Sequence, residues 1–292
     1  MTVHFVETAD GWRLGLRETP AQGEEKGVVV ALHAMMVDAR TMDRPTGSGL
    51  ATALAASGWT VLACDFRGRG ESGPDWDAGG RWDYDALVRF DMPAFVDFAR
   101  RRAGRLPVVA MGHSLGGHVS VASVGTGHAA VDMLVLLSAN IWRPSLEPSW
   151  TRRWMKAWQV WVVRWSVKLF GRFPTRRFRM GPVDEAPSYM DDIVRFWRED
   201  HWEGRDGLDY DEGMARVDCP VLSVVGKGDT LLAHRDGARA WFERLGSSQK
   251  DFWYVAADEW GLTTELNHMT VVTDAPPVWT AIADWLTGVS AQ

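Results

Sequence analysis

Apolar residues in this chain fall into short continuous runs separated by longer mixed segments. Gly27–His33, Trp59–Cys64, Pro107–Met111, Val131–Leu137, Val221–Val225 and Asp251–Ala256 are five to seven residues each. Continuous runs of that length predict strands buried on both faces of a sheet. Ahead of them, Val3–Thr8 and Arg13–Glu18 flank Asp10-Gly11, which predicts an antiparallel hairpin. Between the runs, Leu50–Ser57, Asp85–Arg102, Leu115–Val124, Arg235–Leu245 and Pro277–Leu286 have helical character, and Gly58 stops the first of them. Strand–helix alternation of this kind predicts an α/β fold: a mostly parallel eight-stranded sheet with helices on both faces.

The alternation lapses once. From about Ile141 to Asp211 the chain reads as helical and rich in Trp and Arg. The expected organisation is a core of residues 1–140 and 213–292, with residues 141–212 inserted after the sixth strand as a helical cap. In such sheets ligands bind at the carboxyl ends of the strands. Ser114 and the loops after Leu32, Leu137, Val225 and Ala256 share that edge.

Gly112-His113-Ser114-Leu115-Gly116 fits G-x-S-x-G between a predicted strand and a predicted helix. In that setting Ser114 is a candidate nucleophile, against the plainer reading of a helix N-cap in a small-residue turn. A serine hydroxyl needs a base. Of eight histidines, only His268 lies in a loop after the last predicted strand. The base in turn needs an orienting acid. Asp229 follows a buried strand and a glycine-rich turn. Asp218 precedes its strand, Asp258 follows the last strand, and Asn140 cannot carry charge where some relatives of this architecture place the acid. The expected catalytic set is therefore Ser114, Asp229 and His268. Oxyanion donors are expected from the backbone N–H groups of Leu115 and Met35.

The segments ALHAMM, DFRGRGESG, MGHSLGG, VVGKGD and LNHM occur in that order over nearly the whole chain. Together they resemble the α/β-hydrolases, and most nearly the bacterial serine hydrolases akin to monoacylglycerol lipases and serine-aminopeptidase-like proteins. The resemblance implies the α/β-hydrolase fold and, by analogy, hydrolysis of a carboxylic ester through an acyl-enzyme. Acyl transfer, amide cleavage or a catalytically inactive ligand-binding homologue remain alternatives. Family members commonly have His-Gly where this chain has His33-Ala34, a departure that bears on the oxyanion site. Arg67, Arg69 and Glu71 read as parts of a structural turn, with their charges solvated or paired.

Composition narrows the partners. A formal net charge of −6 gives no general attraction to nucleic acid. Two cysteines, Cys64 and Cys219, read as buried free thiols in a cytoplasmic protein. No export signal and no membrane-spanning run is expected. Gly226-Lys227-Gly228 lacks the Ser or Thr of a phosphate loop, and no metal-ligand spacing occurs, so neither metal nor cofactor is expected. The anomaly is tryptophan, with 17 residues against 4 Tyr. Trp150, Trp154, Trp158, Trp161 and Trp165 form one helical stripe. The stripe can be the cap's own core; it can line a pocket over Ser114, with Trp154, Trp158 and Trp161 contacting an apolar acyl substrate; or it can seat the cap on a membrane. The last ranks lowest, because basic residues are scattered around that helix.

Overall fold

A computed structural model describes residues 2–291. The predicted runs form one eight-stranded sheet: β1 (Thr2–Glu7), β2 (Arg13–Thr19), β3 (Gly27–Leu32), β4 (Trp59–Cys64), β5 (Val108–His113), β6 (Met133–Leu137), β7 (Val221–Gly226) and β8 (Lys250–Val255), in the spatial order β1-β2-β4-β3-β5-β6-β7-β8. β1 and β2 pair antiparallel, and β2 lies antiparallel to β4; every other pairing is parallel.

The continuous apolar runs are explained by two cores. Successive side chains of a strand point to opposite faces. Val28, Val30, Leu32, Val108 and Ala110 pack into one cluster, and Val29, Ala31, Val61, Val109 and Met111 into the other. The first cluster is covered by α2 (Tyr84–Ala86), which passes through a π-helical turn into α3 (Met92–Ala103), and by α4 (Leu115–Gly125). Helix α1 (Leu50–Ala56) contributes to the second. Between β6 and β7 the chain carries α5 (Trp150–Phe170), α6 (Pro187–Glu199) and α7 (Tyr210–Met214). Beyond β7 come α8 (Arg235–Phe242), α9 (Thr270–Thr273) and α10 (Pro276–Ser290); α9 and α10 also cover the second cluster. Among the described residues no helix is long and apolar enough to cross a membrane.

The segment between β6 and β7 differs from its expectation in two ways. It is not helical throughout: residues 171–186 are irregular, held by paired backbone hydrogen bonds between Phe173 and Glu185. Nor is the tryptophan stripe of α5 its core. Trp150, Trp154, Trp158, Trp161 and Trp165 are 49–79% exposed. The buried side of α5 is the opposite one, where Val160 packs with Val194 and Trp197 and with the flanking Trp142. The periodicity located an apolar stripe, but the less bulky opposite face is the one that α6 covers. Basic and acidic residues within the segment pair, as Arg172 and Arg176 with Asp184 and Arg143 with Asp211. Both cysteines are free; Cys64 is buried, whereas Cys219 is only half-buried beside the opening of β7.

His118 on α4 lies in the first cluster, its Nδ1 hydrogen-bonded to Tyr84 Oη at 2.9 Å. Burial pulls its pKa down to about 3. An unfolded histidine titrates near ~6.5. The unfolded chain therefore holds the extra proton between those values, and stability is lost as pH falls through that window. For His118→Gln we expect a slope of unfolding free energy against pH shallower by about 1.4 kcal/mol per pH unit than wild type. Urea titrations between the two values check this, and parallel slopes would refute it.

Candidate active site

β5 ends in His113, and α4 begins at Leu115. Ser114 alone makes the turn, with φ 50° and ψ −109°. A non-glycine residue there is strained by about 1–3 kcal/mol. The strain is held by what surrounds it: Ser114 N–H donates to Leu137 O at 2.9 Å, and Gly117 N–H to Ser114 O at 3.0 Å. Gly112 makes the crossing possible, since a Cβ there would lie 2.2 Å from the Gly116 carbonyl carbon. Ser114 is half-buried, and its Oγ makes no hydrogen bond among the described residues.

Asp229 and His268 come together. Asp229 sits in the turn after β7, with its N–H on Gly226 O at 3.0 Å. His268 Nδ1 donates to Asp229 Oδ2 at 2.6 Å, and Ala233 N–H donates to Oδ1 at 3.0 Å. Burial raises the Asp229 carboxyl, but the His268 and Ala233 hydrogen bonds prevail and hold it below its ordinary value. It is therefore a carboxylate, and the hydrogen of this bond sits on His268 Nδ1. The glycines of VVGKGD serve this approach: a Cβ on Gly226 would meet Leu266 O at 2.2 Å, so only a bare backbone lets the His268 loop close over β7. Asn267 Oδ1 fixes the loop from the other side, accepting from Met269 N–H and Thr270 N–H at 2.9 and 3.0 Å.

The histidine loop is tied to the serine turn through His113. His113 Nε2 donates to His268 O at 2.7 Å, and the two rings are 5.0 Å apart. Burial is the chief cause that drives His113 down to about 3, so it is neutral. Asp218 and Asp258 are exposed, and neither hydrogen-bonds to His268 among the described residues.

The loop after β3 is pinned on both sides of Met35. His33 Nε2 accepts from Phe66 N–H at 3.2 Å, so its Nδ1 donates to Ala34 O at 2.7 Å. A trans peptide directs its C=O and N–H oppositely, so holding Ala34 O fixes the direction of Met35 N–H. On the other side, Met36 N–H donates to Glu185 Oε1 at 2.6 Å, and Glu185 Oε2 accepts from Arg69 at 2.5 Å. That bond holds Met36 at φ 68°. Arg69 and Glu185 side chains are both 0% exposed. Gly116 N–H donates to His33 O at 3.2 Å, which fixes this loop against α4. Met35 N–H and Leu115 N–H donate to no protein group among the described residues. Ala34 has no positive φ, so the missing glycine imposes no backbone strain.

Sequence reasoning missed Glu185; nothing in its local pattern marks it, because its partners lie 116 and 149 residues away. Arg67 is likewise buried, on Asp91 and Asp10, so the turn is structural and its arginines are paired inside the protein. Trp154, Trp158 and Trp161 are 49–66% exposed. Trp161 joins Trp165, Leu169, Phe170 and Phe178 around a shallow groove of about 370 Å³ that shares no lining residue with the serine turn. A cleft of about 600 Å³ lined by Arg100, Pro107, Asp132 and Pro220 lies at the amino ends of the strands, the wrong edge for Ser114. His201, Asp209 and Asp211 stand close enough to hold a cation, but Arg143 already occupies Asp211.

Residues 23–257 match the family model described as Serine aminopeptidase, S33. A 2-hydroxy-6-oxononadienedioate/2-hydroxy-6-oxononatrienedioate hydrolase of Cupriavidus pinatubonensis is 26% identical over 82% of this chain and 83% of its own. Among solved structures, a soluble variant of monoglyceride lipase from Saccharomyces cerevisiae superposes with a TM-score of 0.68 at 17% identity, covering 97% of this chain and 94% of the other. Est1E from Butyrivibrio proteoclasticus, solved with ferulic acid, gives 0.65 at 12% identity, covering 99% and 100%. The sheet order and these superpositions are those of the α/β-hydrolase fold.

Proposed function

The chain belongs to the serine aminopeptidase (S33) family of α/β-hydrolases, and from that premise we propose that it cleaves carboxylic esters of small apolar acyl compounds through a covalent acyl-enzyme. The observation that carries this reading is the part-buried Asp229–His268 hydrogen bond of 2.6 Å, tied through His113 to the strained turn that presents Ser114. Ser114 Oγ attacks the ester carbonyl carbon as its proton passes to His268 Nε2. The oxyanion that forms accepts from Met35 N–H and Leu115 N–H. His268 returns the proton to the departing alcohol oxygen, leaving an acyl ester on Ser114. Water, deprotonated by His268, then releases the acid and restores the hydroxyl. Hydrogen bonds between nucleophile and base are commonly loose without substrate and tighten in the reacting complex. The lipase and esterase among the structural neighbours support an ester as the bond cleaved.

A fluorophosphonate probe tests the nucleophile, with adduct expected on Ser114 by peptide mapping. A panel of p-nitrophenyl esters of graded length, run beside matched anilides, tests the bond. Turnover confined to the anilides would overturn the ester assignment, and absence of any adduct would overturn the mechanism.

Glu185 is a positioning residue in this reading. It touches no reacting atom but fixes the peptide that follows Met35. Burial raises its carboxyl above the ordinary value, with Arg69 and Met36 N–H opposing. Losing one oxyanion donor costs roughly 100- to 1000-fold in kcat. Glu185→Gln can still accept from Met36 but sets an amide against buried Arg69. We expect kcat lower by roughly ten- to a hundred-fold with KM little changed. A rise in KM at constant kcat would place Glu185 in ground-state binding instead.

A further inference from the structure

We propose that the exposed aromatic face of α5 docks onto an anionic lipid–water interface. The proposal does not depend on the ester reading. At about 100° per residue, Trp150, Trp154, Trp158, Trp161, Trp165 and Leu169 fall within about 100° of arc on the helix. Each is at least 49% exposed, and Phe170, Phe178 and Met180 continue the surface at 40–55%. An apolar surface of this extent on a soluble fold marks a place where something binds.

Charge decides what binds. Residues 148–183 hold nine Lys and Arg and no Asp or Glu. With −6 for the whole chain, −15 is left on the remainder. The scatter of basic residues around α5 resolves once burial is known. Arg152 and Lys156 lie on the back of the helix and are neutralised by Glu147, at 2.8 and 2.9 Å, together with Asp236, 2.8 Å from Arg152. Arg153, Arg164 and Lys168 flank one edge of the aromatic arc, and Arg177 and Arg179 follow beyond the helix. Among the described residues no carboxylate pairs with these five. Lys168 and Arg177 lie over the rings of Trp165 and Phe170, at 5.1 and 5.6 Å.

Three occupants can be compared. A second copy packed on this face by two-fold symmetry would bring the unpaired cations against their own images, with no acid in the segment to relieve them. A single acyl chain is too narrow to cover a 21-residue helix. An anionic bilayer surface supplies both partners: headgroup charge for the cations, and an interfacial layer in which Trp is favoured. The acidic remainder is repelled from that surface, so the approach is oriented with α5 foremost.

Flotation of the full-length protein with vesicles of phosphatidylcholine, with and without phosphatidylglycerol, tests this. Binding is expected to the phosphatidylglycerol vesicles and to weaken as salt is raised. Arg164→Glu combined with Lys168→Glu should lower that affinity by about ten-fold or more, and Trp150→Ser combined with Trp165→Ser should also lower it. Circular dichroism on each variant verifies folding, and the salt dependence of the wild-type chain stands without them. The proposal is overturned if wild type ignores phosphatidylglycerol, if folded charge-reversed protein binds equally well, or if a lipid-free dimer forms that the Trp150/Trp165 variant dissolves.

Discussion

Ser114→Ala should abolish ester turnover, lowering kcat by roughly 10⁵- to 10⁶-fold while the protein stays folded. Removing the nucleophile of a serine hydrolase removes nearly everything that the three residues do together, and what remains is the contribution of binding and the oxyanion donors. The fold should tolerate the change. Among the described residues the Ser114 side chain makes no hydrogen bond that alanine would lose, and its N–H and C=O, which hold the turn, are unchanged. Alanine inherits the same strained φ as serine, so stability should move by less than about 1 kcal/mol. Burst and steady-state kinetics on a p-nitrophenyl ester, with a thermal melt alongside, measure both effects. Activity within ten-fold of wild type in a folded Ser114→Ala protein would mean that another group attacks the ester. An unfolded variant would mean that the turn depends on the hydroxyl.

The sheet was legible in the sequence because its central strands are buried on both faces. Val28 to Leu32 and Val108 to Met111 feed two cores at once, so polar residues are excluded throughout, and the runs stand out from helices by length. The serine turn was legible for a different reason: Gly112 and Ser114 must satisfy a local crossing whose geometry is fixed within five residues. That Asp229 and His268 would meet was legible from their positions at the sheet edge, since the order of the strands dictates which loops come together. Nothing of that kind marks Glu185. Its role exists only when β3, the turn after β4 and the irregular segment before α6 are stacked, and a buried Glu looks the same as a surface one in a sequence. The tryptophan stripe failed in the opposite sense. Periodicity specifies that side chains share a face of α5, but whether that face turns inward depends on which side α6 finds easier to pack. Val160 and Val167 offered the flatter side, and the indoles were left outside.

Asp229→Asn should be the next most damaging change, costing roughly 10⁴-fold in kcat at neutral pH with little effect on KM. The argument turns on which way the new amide faces. Ala233 N–H donates to Oδ1 at 3.0 Å, so the asparagine oxygen stays there and its NH₂ turns to His268. An NH₂ can only donate, so His268 Nδ1 becomes the acceptor and the ring proton moves to Nε2. In that tautomer Nε2, the nitrogen proposed to receive the Ser114 proton, already carries one and cannot take another. In wild type the His268 and Ala233 hydrogen bonds hold the carboxylate below its ordinary pKa, so it stays ionised throughout the pH range above the ordinary carboxylate value. Acid loss of activity in that range is therefore not a titration of Asp229. Asp258→Asn is the matched comparison, since it changes the same charge on an exposed carboxylate that, among the described residues, does not hydrogen-bond to His268. A deep fall in Asp229→Asn with near-normal Asp258→Asn assigns the orienting acid; the reverse pattern would transfer that role to Asp258 and with it the interpretation of the whole histidine loop.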